Sequence, residues 1–202
     1  MYKRQVLGGA WGVLARLLAD SSVFWLHDAA ADVAVWLTAV AGIGRIARSA
    51  RQAAALAAGF LLAAVAADYG FGALALREHV DRGVLLWVGT ALTVAPAVAA
   101  LTQVALRRRG PLGGLVLAVL AGGVLVDGSV QQLLLHAQGQ LPDTIPMHVP
   151  QAVLDAACVL VLLLALPRSW STRCFALLLA VPCLAFLPGA LCLCAYATGL
   201  VD

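Results

Sequence analysis

The sequence predicts an all-α fold: a polytopic transmembrane helix bundle of six full spans behind a shorter N-terminal stub. Three observations predict it. The chain has 202 residues, 63% hydrophobic and only 11% charged, whereas a soluble domain carries about a quarter charged residues. Apolar runs recur at lengths that can cross ~30 Å of hydrocarbon. The basic residues gather between alternate runs, which is the pattern that orients a membrane protein.

Each element follows from its local sequence. The spans are read at 23–44, 52–76, 83–106, 111–136, 150–167 and 173–198. None alternates with the period of a strand. Because lipid offers the backbone no hydrogen bonds, only helices or closed barrels cross it, and helices are the choice here. Pro96, Pro182 and Pro188 fall inside spans and should kink them. The stub covers Val6–Ala19, "VLGGAWGVLARLLA". Residues 1–5, "MYKRQ", read as the translation of a sequencing adapter fused to a truncated N-terminus. On that reading Lys3 and Arg4 carry no topological information, and residues 6–202 form a single transmembrane helical domain.

Arg45, Arg48 and Arg51 join the first span to the second; Arg107, Arg108 and Arg109 the third to the fourth; Arg168 and Arg173 the fifth to the sixth. These connections share one face, expected to be cytoplasmic in a bacterial inner membrane. The acids then sort to the other half: Asp20, Asp28, Asp32, Asp68, Glu78, Asp81, Asp127, Asp143, Asp155 and Asp202, with His27, His79, His136 and His148. Acids in loops carry little meaning. Asp32, Asp68, Asp127 and Asp155 lie inside spans, where an ionised carboxylate costs several kcal/mol unless paired or hydrated. They suggest one polar cavity open to the outer face, with Asp28, Gln131 and Gln132 contributing. The bland alternative is that they are polar joints between helices.

Asp68 and His79, eleven residues apart, share a helix face, as do His148 and Asp155, seven apart. Asp28 and Asp32 are an i, i+4 pair. In "VDGSVQQLLLHAQ" (126–138), Asp127 and His136 point oppositely, Asp127 with Gln131 and His136 with Gln132 and Ser129. A helix polar on two sides suits a central position, and Gly122, Gly123 and Gly128 allow neighbours to approach. Carboxylates and imidazoles together could hold a transition metal ion, with Asp68, His79, Asp127, His136, His148 and Asp155 as ligands. No tight H-x-x-H or E-x-x-H pair occurs, and a hydrogen-bonded interfacial role is the competing reading for each His. Haem ligation would need histidines at depth, and these stand near helix ends. The five Cys lie in the last two apolar runs as small hydrophobes. Cys192 and Cys194, two apart on a helix, diverge. No lysine lies in a span, which excludes a retinal Schiff base. No P-loop, G-x-S-x-G or H-E-x-x-H motif is present.

The chain also resembles itself. "GFLLAAVAADYGFGALALREHV" (59–80) is similar to "GGVLVDGSVQQLLLHAQ" (122–138), and "WLHDAAADVAVWLTAVAGIGR" (25–45) to "MHVPQAVLDAACVLVLLLALPR" (147–168). Each unit would be a helix pair. The stretches "HDAAADVAVWLTAVAG", "ADYGFGALALREHV" and "VDGSVQQLLLH" resemble the bacterial inner-membrane family called domain of unknown function 2243. That resemblance implies His residues following an acid-Gly step, and an association with copper-oxidase assembly proteins. Asp32 and Gln132 stand where it would place His, so an inherited metal site would be depleted.

The expected function is non-catalytic: a membrane protein with an outward-facing Asp/His cavity for a cation or proton, or one that assists assembly. A haem-binding electron-transfer subunit and a purely structural subunit are the alternatives. The expected partners are the lipid bilayer and other membrane subunits. A net charge of +3 with dispersed basic residues argues against nucleic acid.

Overall fold

The computed structural model describes residues 2–19, 32–77, 82–108, 110–125, 129–137, 139 and 149–182. Among them every regular element is a helix. They are α1 (Tyr2–Ala19), α2 (Val33–Ile46), α3 (Ala50–Ala75), α4 (Gly83–Leu92), α5 (Val94–Arg107), α6 (Pro111–Val124), α7 (Ser129–Ala137) and α8 (Val149–Leu160), then α9 (Trp170–Pro182).

Two helices are long and apolar enough to cross a membrane. The first is α3, with 26 residues. Ser49 caps it, accepting from the Gln52 amide at 3.2 Å, while Gln52 Oε1 accepts from the Arg48 amide at 2.7 Å. This is a close relative of the capping box. The helix ends where the Leu76 amide donates to Gly72 O, and Arg77 then turns left-handed at φ 57°. The second is the 25-residue rod Gly83–Arg107 formed by α4 and α5. It breaks at Thr93 (φ −119°, ψ −68°). Pro96 explains the break: it has no N–H to give the Leu92 carbonyl, and its ring crowds that same group. The Thr93 hydroxyl back-bonds Gly89 O at 2.7 Å. The helix expected to kink at Pro96 is thus interrupted at Thr93, about one turn before the proline.

The other apolar helices are shorter within the described residues: Val33–Ile46, Pro111–Val124, Val149–Ala165 and Trp170–Pro182. The span expected over 111–136 is not one continuous described helix. α6 stops at Val124, where the Leu125 amide tightens onto Gly122 O at 3.2 Å. Gly122 and Gly123, followed in sequence by Asp127-Gly128, are poor helix formers. α7 begins beyond them at Ser129. α8 runs into a π turn, Val161–Ala165, closed by the Leu166 amide on Val161 O at 3.0 Å. Leu166 keeps helical angles (φ −70°, ψ −42°), and Pro167 after it has no N–H to extend the ladder.

The chain divides into two compact units, Met1–Asp32 with Ala39–Val104, and Val33–Thr38 with Ala105–Asp202. In the first, α1 lies along α3. A Cβ on Gly8 would overlap the Phe60 carbonyl and one on Gly12 the Ala64 carbonyl. The register advances by four on both helices, so they run parallel. Ala57, Leu61, Ala64 and Val65 are buried on that side of α3. In the second unit, α6 packs on α8 and its π turn, and α7 packs on α8. α9 meets α6 at Gly113 and Gly114. A Cβ at Gly114 would stand 2.6 Å from Phe175 Cβ, and one at Gly113 2.9 Å from Thr172 Cγ2. This pair is parallel too.

Candidate functional site

The buried face of α8 carries two polar side chains, Gln151 and Asp155. Gln151, Ala152, Asp155, Cys158 and Val159 are its buried residues, spaced at three and four as one helical stripe. Asp155 is 0% exposed. Its Oδ2 accepts a hydrogen bond from the Ser129 hydroxyl at the start of α7. Gln151, one turn earlier, is also buried. A carboxylate in such surroundings is costly unless donors hold it, and Ser129 is one such donor. The arrangement places an acid, a hydroxyl and an amide at the junction of two helices. It can exchange a proton or present oxygen ligands to a small cation.

The other expected site residues are distributed as follows. Asp32 is buried immediately before α2, and Asp68 is half-buried on α3. Both belong to the first unit, Asp155 to the second. Gln131 lies on α7; Gln132 is exposed there, and His136 is exposed in its last turn. Asp28, His79, Asp127 and His148 lie outside the described residues. Of the six expected metal ligands, the described residues thus include Asp68, His136 and Asp155. Among the described residues no group of three or more His, Cys, Asp or Glu stands close enough to hold a metal ion.

Three polar features are not legible as such in the sequence. Gln151 was missed because an isolated glutamine near a helix start carries no motif, although its i, i+4 spacing to Asp155 was readable. Ser129 was noted only for its own helix face; its partner lies 26 residues away. The third is Thr172 with Ser169. The Thr172 amide donates to Ser169 Oγ at 3.2 Å, the two hydroxyls are 2.8 Å apart, and Gly110 N–H donates to Thr172 Oγ1 at 3.3 Å. Ser-x-x-Thr after Pro167 was a legible helix start, but the link to Gly110 was not.

A family model described as a family of unknown function, DUF6518, matches residues 4–196. No curated protein and no solved structure matches the chain. The match overturns the resemblance to domain of unknown function 2243. That likeness rested on short acid-Gly and Val-Gln stretches in alanine-rich helices, where a restricted alphabet produces similar words in unrelated proteins. The implied depleted metal site and the link to copper-oxidase assembly fall with it.

Proposed function

The chain belongs to the DUF6518 family, whose function is unknown, and from that premise we propose that it is a multi-pass inner-membrane protein holding a proton or small cation at Asp155. The Arg-rich connections face the cytoplasm and the polar ends of the helices face outward. The six apolar segments serve as spans, the bilayer is the surrounding partner, and no catalytic step is assigned. The observation that carries the reading is the complete burial of Asp155 with Ser129 bonded to it. Two helices of crossing length support the membrane setting. Ionisable residues retained within membrane-spanning helices mark ion pathways and proton relays.

Two measurements test it. Protein purified from membranes is assayed for bound metal and for the infrared band of a protonated carboxyl, with Asp155→Asn beside it. Loss of either signal in Asp155→Asn supports the site; identical metal content and spectra reduce Asp155 to a joint between helices. Single-Cys labelling at positions 108 and 143, in a Cys-free background, reports sidedness. Modification of both from one side would refute the topology.

A further inference from the structure

The second unit carries a basic edge that the buried aspartate does not use. Gly110 (φ 104°) and Pro111 start α6, and Ser169 starts α9, whose first helical bond is Arg173 N–H to Ser169 O at 3.1 Å. The buried bond from Gly110 N–H to Thr172 Oγ1 ties these two starts together across 62 residues. Thr172 is 2% exposed, so the tie is internal. Because α6 and α9 are parallel neighbours, both positive dipole ends stand side by side. Like ends repel, and an anion in front of them relieves the repulsion.

Arginines flank the tie. Arg107 and Arg108 precede Gly110 and are exposed; Arg168 precedes Ser169 and is exposed. The Arg173 guanidinium carbon lies 5.4 Å from the ring centre of Trp170, which is itself 72% exposed at the first position of α9. The sequence has no acid between Asp81 and Asp127, nor between Asp155 and Asp202. Both connections are therefore basic with no acid of their own. An indole exposed at the end of an apolar helix fits the headgroup layer of a bilayer, and basic residues there attract anionic lipid.

We propose that the α6–α9 edge, formed by Arg107, Arg108, Arg168 and Arg173 with Trp170, binds the phosphate of an anionic phospholipid headgroup. The inference rests on the membrane reading above. It differs from a diffuse positive face in that it depends on the Gly110–Thr172 tie as well as on charge.

The test uses the full chain in detergent micelles and native mass spectrometry with added phosphatidylglycerol or phosphatidylcholine. Phosphatidylglycerol should be retained preferentially. Replacing the three exposed arginines Arg107, Arg108 and Arg168 with Gln should weaken that retention by at least about tenfold, since each basic group near the surface attracts the anionic headgroup. Thr172→Val, which keeps every charge, should also weaken it, and Thr172→Ser should restore it. Replacing Arg45, Arg48 and Arg51 with Gln should leave it unchanged. Quenching of Trp170 fluorescence by brominated phosphatidylglycerol, read as the difference from Trp170→Phe, checks the same contact in vesicles. Equal retention of both lipids, equal loss in the two triple variants, or displacement of the lipid by millimolar inorganic phosphate would overturn the headgroup site. Alkaline carbonate extraction separates the two readings. Protein that stays in the membrane yet shows no lipid preference refutes the edge alone, whereas protein released into solution refutes both.

Discussion

The α1–α3 contact of the first unit and the helix contacts of the second solve the same problem differently. In the first, two helices touch backbone to side through Gly8 and Gly12 against the carbonyls of Phe60 and Ala64. In the second, small residues again let α6 and α9 meet, but hydroxyls cap and cross-link the ends, and a buried carboxylate joins α7 to α8. Lipid tails are as apolar as leucine, so helices in a bilayer associate through close packing or through hydrogen bonds. At Gly8 and Gly12 the first contact is close packing of backbone on backbone. The second adds polar bonds, which cost desolvation and are specific about partners. The proposed Asp155 site lies in the second unit, where Ser129 already donates to the carboxylate.

The largest effect should come from breaking the packed contact. Gly12→Leu forces a side chain into the Ala64 carbonyl and should destabilise the chain by about 3 kcal/mol or more, read as thermal unfolding in detergent. Gly9→Ala is the control, because its Cβ would meet only Ala67 Cβ at 4.0 Å. Equal effects of the two variants would remove the close approach from the account.

Next in size is the polar contact. Ser129→Ala leaves the buried Asp155 without that donor and should cost about 2 kcal/mol, as removing one partner of a buried polar group does. Adding Asp155→Asn should recover part of the loss, because coupled neighbours are not additive. Simple additivity in the four-variant cycle would show that the two side chains do not act together.

A smaller loss, about 1 kcal/mol, is expected for Thr172→Val, which keeps the shape and removes the acceptor for Gly110 N–H. Faster hydrogen exchange at the Gly110 amide is the direct readout. The smallest effect has the opposite sign. A methyl group added at Gly70 in α3 would meet nothing within 4 Å, so Gly70→Ala should stabilise the helix by roughly 0.5–1 kcal/mol. A loss there would mean that something packs against that face.

Several features were legible in the chain itself. The helical class follows from composition and from the absence of alternation. The span expected over 52–76 is realised as Ala50–Ala75, and that over 83–106 as Gly83–Arg107, because both lack glycine pairs and end at polar or arginine-bearing connections. The disturbance at Pro96 is local stereochemistry and needs no neighbour. Of the helix expected over 111–136, the described residues show Pro111–Val124 and Ser129–Ala137, with residues 126–128 outside them.

What the tertiary structure alone decided is which faces meet. Periodicity says that Gln151 and Asp155 share a side of α8, but not that Ser129 waits opposite. The spacing of Gly8 and Gly12 announces a close contact, but the partner could have been any helix until Phe60 and Ala64 filled the place. The Gly110–Thr172 bond joins residues 62 apart. A helix face is set by dihedral angles within one segment, whereas its partner is chosen by the combined packing of all segments. The residues of the buried site are therefore written in the sequence one helix at a time, and the site exists only where those helices pack.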